Sequence, residues 1–376
     1  MSFVVTLADA ADAGAGAVGG KAASLGELAR AGVAVPPGFA VTAGAFTAAM
    51  AALDPDGAMR AGIEVLPAGD VAEIARVAAR FRGVIAEAPL PSGVAAAIEE
   101  GYAALGGTPD VAVRSSATVE DSAEASFAGL QDTYLGVSGP ASVLDHVRRC
   151  WASMYNDESV AYRRRLGLPE TVVAMAVVVQ RMVAPRAAGV MFTRSPVTGD
   201  RSVVAIEGTW GLGSALVSGD VTPDAWVISK VTGEITARRV SPKVKIHGYI
   251  PNGGVADAGG TGDTGGVMGR VTVSDTPDDL REAPCLTDEE IRALAVVARR
   301  VEAHYGIPQD IEWAVLDAPF AGAGADSPSA GGSAESRVVL LQSRPETVWS
   351  ARDPKPAGAP KPRAADHVLT LFGKPL

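Results

Sequence analysis

Residues 111–137, "VAVRSSATVEDSAEASFAGLQDTYLGV", open as an apolar run and break on Arg114, then two serines, an acidic patch and a stretch of small residues. The run reads as a buried strand, so Arg114 leaves its end as a fixed cation. The part "ASFAGLQDT" has few bulky anchors; its backbone can close over a ligand around Gly129, and Thr133 adds a hydroxyl donor. A cation beside a weakly anchored loop is what phosphate binding requires. The other reading is an ordinary strand end, with Arg114 paired to Glu120 or Asp121.

Lys21 follows Gly19 and Gly20 at the start of a helical pattern, where the helix dipole disfavours a cation by about 0.3–1 kcal/mol. An anion at that helix end would reverse the sign, with glycine N–H groups approaching a phosphate and the ammonium adding charge. A solvated lysine is the plain alternative. The segment is not a P-loop, because Ala15 stands at the first glycine position and Ala22 replaces the magnesium-binding hydroxyl.

A third constellation lies near the other end of the chain. Alternation places Asp310 and Glu312 of "DIEWAV" on one strand face, and Gln342 and Arg344 of "LLQSRPE" on one face of the next. If the two strands pair, a carboxylate, an amide oxygen and a guanidinium converge. That set suits one Mg²⁺ and a triphosphate, since magnesium takes a few hard oxygens and leaves its other positions to water and phosphate. Arg344 would neutralise charge on the transferring group. A polar outer face of a hairpin is the competing reading.

The surroundings are those of a large globular chain. Its 376 residues suit two lobes, and 47% hydrophobic with 20% charged residues predicts a proper core. A net charge of −10 argues against nucleic acid as a partner. The longest apolar run, "VVAMAVVV" at 172–179, is far short of the roughly 18 residues of a membrane span. The start, "MSFVVTLADAADAG", has no secretory pattern, so a cytoplasmic location is expected. Cys150 and Cys285 are expected in the core, without disulfide or metal roles, and the four histidines show no metal-ligand spacing.

Along the chain, a strand at 3–7 precedes a short helix with Leu25, Leu28 and Ala29 inward and Gly32 as its stop. Residues 43–105 are alanine-rich and helical, broken at "LDPDG" and "APLPSG". One amphipathic helix is expected over 140–166, burying Val143, Val147, Cys150 or Trp151, and Met154. The second half is sheet-rich, with a helix from a Thr287/Glu290 capping box to Gly306. Residues 252–266 and the "APFAGAGADSPSAGGSAES" connection read as loops, and 350–362 as linker. The expected division is an N-terminal lobe over 1–195, a C-terminal lobe over 196–348, and a linker and short tail over 349–376.

Taken in order, "VGGKAASLGEL", "VPPGFAVT", the 111–135 stretch, "VVVQRMV", "GVMFTRSP", "GLGSALVSGDVTPD", "DIEWAV" and "LLQSRPET" resemble the ATP-binding domain of the phosphoenolpyruvate synthase and pyruvate phosphate dikinase family, shared by rifampicin phosphotransferases. The resemblance runs across about residues 10–348. It implies an α+β, two-lobed ATP-grasp fold that clamps ATP between its lobes. It implies that Lys21 and Arg114 hold phosphates, that Gly129 and Thr133 lie in the closing loop, and that Gln180 lies at the adenine end. By the same resemblance Glu312 and Gln342 bind Mg²⁺ and Arg344 contacts the phosphates, which gives Arg344, Lys21 and Arg114 the catalytic roles.

In such enzymes the ATP β-phosphoryl group passes to a histidine on a swivelling domain, leaving AMP and Pi, and a third domain serves the final acceptor. No glycine-rich histidine motif and no acceptor domain follow "SRPETVW" here. The resemblance therefore implies a stand-alone ATP-binding subunit, similar to that of phenylphosphate synthase. Its partners would be a separate phosphohistidine (swivel) protein and an acceptor-binding subunit, with neither nucleic acid nor membrane involved. The alternatives are direct phosphorylation of a small molecule without a histidine carrier, and a non-catalytic ATP sensor that docks a partner through "DHVLTLFGKPL".

Overall fold

The apolar run ending at "VVVQR" forms Met175–Arg181, the central strand of a five-stranded antiparallel sheet. Across this sheet the order is Val4–Thr6, Gly38–Val41, Met175–Arg181, Val111–Ala117 and Thr133–Val137. The structure is a computed structural model that describes residues 2–67, 69–117, 121–122, 125–126, 132–251, 270–320 and 333–350. The loop at 252–266, most of the 318–336 connection, Gly129 and nearly all of the 349–376 tail lie outside the described residues.

One face of the first sheet is covered by the alanine-rich helices. These run Ala43–Leu53, Ala58–Glu64, Val71–Glu87 and Ser92–Ala104, with breaks where "LDPDG" and "APLPSG" stand. At the first break the Asp54 carboxylate accepts the N–H groups of Met59 and Arg60, so the turn itself caps the next helix. Phe46, Ile74, Phe81, Ile98, Val147 and Trp151 pack with Val113, Val177 and Val179 in one core.

The 140–166 stretch is two helices, Pro140–Ser153 and Asp157–Leu166, not one. Met154 and Asn156 fall at the break, where Asn156 has extended backbone and begins the second helix. Val143, Val147, Cys150, Trp151 and Met154 are buried as the spacing predicts. Arg163 and Glu170 form a fully buried, doubly bonded ion pair beside them, at 3.0 Å.

The second sheet has six antiparallel strands, in the order Ile235–Arg239, Asp224–Ser229, Val203–Trp210, Ala187–Phe192, Gln309–Val315 and Val338–Pro345. The chain passes from the first sheet to the second between Arg181 and Ala187. Helix Asp288–Tyr305, with its Thr287/Glu290 capping box and Gly306 in the left-handed conformation, packs on the second sheet through Ile291, Leu294 and Ala298.

The helix Ala15–Arg30 joins the two sheets. It packs on the strands Val111–Ala117 and Met175–Arg181 of the first sheet and on Val338–Pro345 of the second. Its buried stripe is Val18, Ala22, Leu25 and Leu28; Ala29, expected inward, is exposed in the last turn, where the helix ends at Arg30. Ala40 and Val178 of the first sheet share a core with Trp226, Trp313 and Leu340 of the second through this helix. Ser24 Oγ donates to the Ser343 carbonyl at 2.7 Å, a polar tie inside that contact.

A two-stranded ladder, Lys245–Ile250 with Arg270–Asp275, spans the same junction. It is bonded to the second sheet's end through Leu212 N–H to the His247 carbonyl, 2.8 Å, and Ser214 Oγ to His247 Nδ1, 2.9 Å. Its Tyr249 hydroxyl donates to Asp110 at the head of the Val111–Ala117 strand, 2.6 Å. Cys150 and Cys285 are buried and unpaired by disulfide, and burial raises both thiols far above neutral pH. Among the described residues no helix is long and apolar enough to cross a membrane.

Candidate functional site

Register places Arg114. Its strand neighbours are Val178 on one side and Thr133 on the other, and two residues back Ala112 faces Gln180. Residues paired directly across a ladder share a face, so Ala112, Arg114, Ser116, Gln180 and Thr133 lie on one side of the first sheet. It is the side on which helix Ala15–Arg30 packs, since Val178 and Ala40 join that helix's core. Arg114 therefore projects toward the second sheet.

On the second sheet the strands Gln309–Val315 and Val338–Pro345 pair, with Asp310 opposite Arg344 and Glu312 opposite Gln342. The residues between them, Ile311 and Trp313, are buried in the core on the other face. All four polar groups thus share one face. Immediately after the Glu312/Gln342 pair the register slips, because Trp313 pairs with Leu340. The bulge leaves Leu341 without a ladder partner and turns its carbonyl outward.

Arg114 meets this hairpin directly. Nη2 donates to Glu312 Oε2 at 2.7 Å and lies 3.4 Å from Gln342 Oε1, while Nη1 donates to the Leu341 carbonyl at 3.0 Å. Among the described residues Arg114 forms its ion pair with Glu312; the Glu120 and Asp121 side chains of the local alternative lie outside them. Arg114 is 15% exposed and Glu312 33%, so the pair is partly shielded and stronger than a surface one. Arg114 Nε is buried with no hydrogen-bond partner among the described residues.

Arg344 is half exposed, with Nε 3.5 Å from Asp310 Oδ2. Burial pushes the Asp310 carboxyl up to about 6, against the pull of Arg344 and with a further push from Glu346. Asp310 Oδ1 has no hydrogen-bond partner among the described residues. The guanidinium of Arg344 is therefore held beside the Glu312/Gln342 pair without being consumed by it.

Lys21 sits where the helix restarts. Gly19 breaks the helix with φ 75° and ψ 161°, and a Cβ there would overlap the Ser116 Oγ and carbonyl oxygen. Lys21 N–H donates to Ser116 Oγ at 3.1 Å. The glycine thus admits Ser116, whose hydroxyl oxygen accepts the Lys21 backbone N–H at the point where the helix restarts. Ser116 is two residues from Arg114 on the same face, so this contact sets the helix start over the Arg114 strand.

Gln180 is buried, and its Nε2 donates to the Pro36 carbonyl at 3.0 Å. It lies one residue pair along the same sheet face from Arg114, with no contact to Glu312. Ala34, two residues before Pro36, packs against a small apolar cluster on the second sheet, Ala188, Ala314 and Val339 with Val183 and Leu341. Thr133 is exposed beside Arg114, and Gly129 lies outside the described residues.

The donor set fits Mg²⁺. A carboxylate oxygen and an amide oxygen converge on a single cationic nitrogen of Arg114, so a small cation between them would be satisfied by hard oxygens. Among the described residues there is no cluster of three or more His, Cys, Asp or Glu side chains around a metal position. Two protein oxygens with the remainder from phosphate and water is the arrangement magnesium tolerates and zinc does not.

Sequence reasoning missed Ser116, the Leu341 carbonyl and the small apolar cluster. Ser116 stood in the quoted "RSSA" and the use of Gly19 depends on it. A bulge at Leu341 leaves no sequence signal, since "LLQSRP" reads as plain alternation.

The family described as "Pyruvate phosphate dikinase, AMP/ATP-binding domain" matches residues 15–364. A rifampicin phosphotransferase from a Streptomyces species is 44% identical over 321 residues, covering 85% of this chain and 35% of that protein. The probable phosphoenolpyruvate synthase of Methanothermobacter thermautotrophicus is 39% identical over 338 residues, 89% of this chain and 44% of its own length. The phosphoenolpyruvate synthase of Aeropyrum pernix is 38% identical over 361 residues, 89% and 41% respectively. The chain spans less than half the length of each of these relatives.

Proposed function

Because the chain belongs to the pyruvate phosphate dikinase AMP/ATP-binding domain family, we propose that it binds Mg²⁺ and ATP between its two sheets as the ATP-dependent component of a dikinase-type phosphotransfer. The observation that carries this reading is the meeting of Arg114 from one sheet with Glu312 and Gln342 from the other, beside Arg344.

Glu312 and Gln342 would hold the magnesium ion, which when bound neutralises phosphate oxygens and fixes the chain of phosphates. Arg114, Lys21 and Arg344 supply positive charge, so the triphosphate is positioned and its developing charge stabilised. Thr133 adds a hydroxyl next to Arg114. The apolar cluster of Ala188, Ala314 and Val339, reached through residues 34–36 from Gln180, suits the flat face of adenine.

The receiving group is a histidine on a separate swivel-domain protein. Its ring nitrogen forms a bond to the β-phosphorus as the bond from that phosphorus to the AMP oxygen breaks; water then releases the γ-phosphate as Pi. A further acceptor-binding subunit completes the reaction. The residues present act by position and charge, as phosphoryl transfer requires little covalent help from the protein.

The test is incubation of the chain and candidate swivel-domain proteins with ATP labelled at the β or the γ position. The β label on protein and the γ label in Pi, with AMP formed, is the expected pattern. ATP bound without any label moving under every partner combination would leave a nucleotide sensor; a small acceptor labelled by the chain alone would leave a direct kinase.

A further inference from the structure

Arg114 occupies the second sheet's oxygens as a bound cation would. One nitrogen, Nη2, lies 2.7 Å from Glu312 Oε2 and 3.4 Å from Gln342 Oε1, and these are the two oxygens assigned above to the metal. Nη1 rests on the Leu341 carbonyl at 3.0 Å, which the bulge presents. A guanidinium nitrogen and a metal ion cannot both fill the space between the same two oxygens.

From this geometry we infer that Arg114 is the built-in counter-ion of the Glu312/Gln342 pair, and that Mg²⁺ arriving with a nucleotide displaces it onto the phosphates. The inference rests on the nucleotide site proposed above and concerns how that site fills. Before binding, Glu312 is balanced by Arg114. After binding, Glu312 is balanced by the metal and Arg114 by phosphate oxygens. No charge is left unpaired in a partly buried position at either end of the exchange, which is the arrangement that avoids a stranded charge. Arg114 Nε, buried and without a partner among the described residues, leaves the guanidinium a donor to use in its second position.

The exchange has a direct consequence for the order of binding. Metal alone must compete with Arg114 for Glu312, whereas metal with nucleotide does not, because the phosphates draw the guanidinium away. Each ligand therefore strengthens the other, with Arg114 as the coupling group. An arginine that served only as a phosphate ligand would produce no competition with the free metal.

The experiment uses Mn²⁺ as a paramagnetic probe, titrated into the whole chain with and without a non-hydrolysable ATP analogue, for the wild type and Arg114→Gln, with melting curves confirming that both fold. Removal of the competing charge is expected to tighten binding of Mn²⁺ alone by about fivefold, while weakening the analogue and reducing the mutual strengthening. Arg114→Lys, which keeps the charge without the fork, is expected to fall between. Binding of Mn²⁺ alone that is unchanged or weaker in Arg114→Gln overturns the exchange while leaving the nucleotide site intact; a wild-type chain that takes up no analogue overturns both.

Discussion

Arg114 Nη2 and Glu312 Oε2 lie 2.7 Å apart although 198 residues separate them, and they belong to different sheets. This contact joins the two halves of the site. It depends on the strand order of both sheets and on the register Glu312 opposite Gln342, so its partners can be tested one by one.

Arg344 is half exposed and its only close ionic neighbour among the described residues is Asp310 at 3.5 Å. Arg344→Ala should change unfolding free energy by no more than about 0.5 kcal/mol, yet lower phosphotransfer with a competent partner by about 10²-fold or more. Chemical denaturation and AMP release, measured on the same preparation, separate the two effects. Wild-type AMP release in the variant would remove Arg344 from the site.

Gly19 must remain glycine for two reasons that a second glycine can separate. At Gly14, φ is 76° and ψ 154°, the backbone region of Gly19, and a Cβ would meet open space, so Gly14→Ala should cost about 1–3 kcal/mol from backbone conformation alone. Gly19→Ala adds overlap with Ser116 and should cost about 2–4 kcal/mol, with loss of nucleotide affinity as the Lys21 helix shifts. Equal costs in denaturant unfolding would show that the Ser116 contact is not tight.

Part of this arrangement was legible in the sequence and part was not, for physical reasons. Alternation placed Asp310, Glu312, Gln342 and Arg344 on one face, because a period of two needs no knowledge of the partner strand. The capping box at Thr287 and Glu290 and the helical breaks near "LDPDG" and "APLPSG" are equally local, and all appear where expected. The strand pattern marks Arg114 as a cation leaving a strand end but does not name Glu312 as its neighbour, since local pattern carries no information on which strands meet across two sheets. For the same reason the glycine at 19 was linked to phosphate, whereas the fold uses it against Ser116. The helical period through 140–166 is continuous enough to hide the break near Asn156, which only the backbone reveals.

Glu290 gives the fold a defined acid sensitivity. Burial alone would raise its carboxyl, but the Thr287 N–H and the Arg186 guanidinium outweigh burial and hold it below the ordinary value. A depressed folded value means the unfolded chain takes up the proton first, so this stabilisation is full above the ordinary glutamate range and fades as pH falls through the folded value. Glu290→Gln should cost about 2 kcal/mol near neutral pH, and the gap to wild type should close on acidification. A gap that stays constant between pH 7 and pH 3.5 in denaturant titrations would rule out this ionic contribution.

Glu312→Gln keeps the shape of the side chain and removes its charge. Nucleotide analogue binding should then lose most of its dependence on Mg²⁺, whereas the wild type should weaken at least several-fold when the metal is chelated. Calorimetry with and without chelator measures both. Equal metal dependence in the two proteins would place the magnesium elsewhere.

A crystal structure of the chain with Mg²⁺ and a non-hydrolysable ATP analogue is the most direct measurement of all. The triphosphate should lie between the Val111–Ala117 strand and the 309–345 hairpin, with a metal ion on Glu312 and Gln342 and the Arg114 guanidinium turned onto phosphate oxygens. A nucleotide bound on another surface, with Arg114 still closed on Glu312, would contradict it.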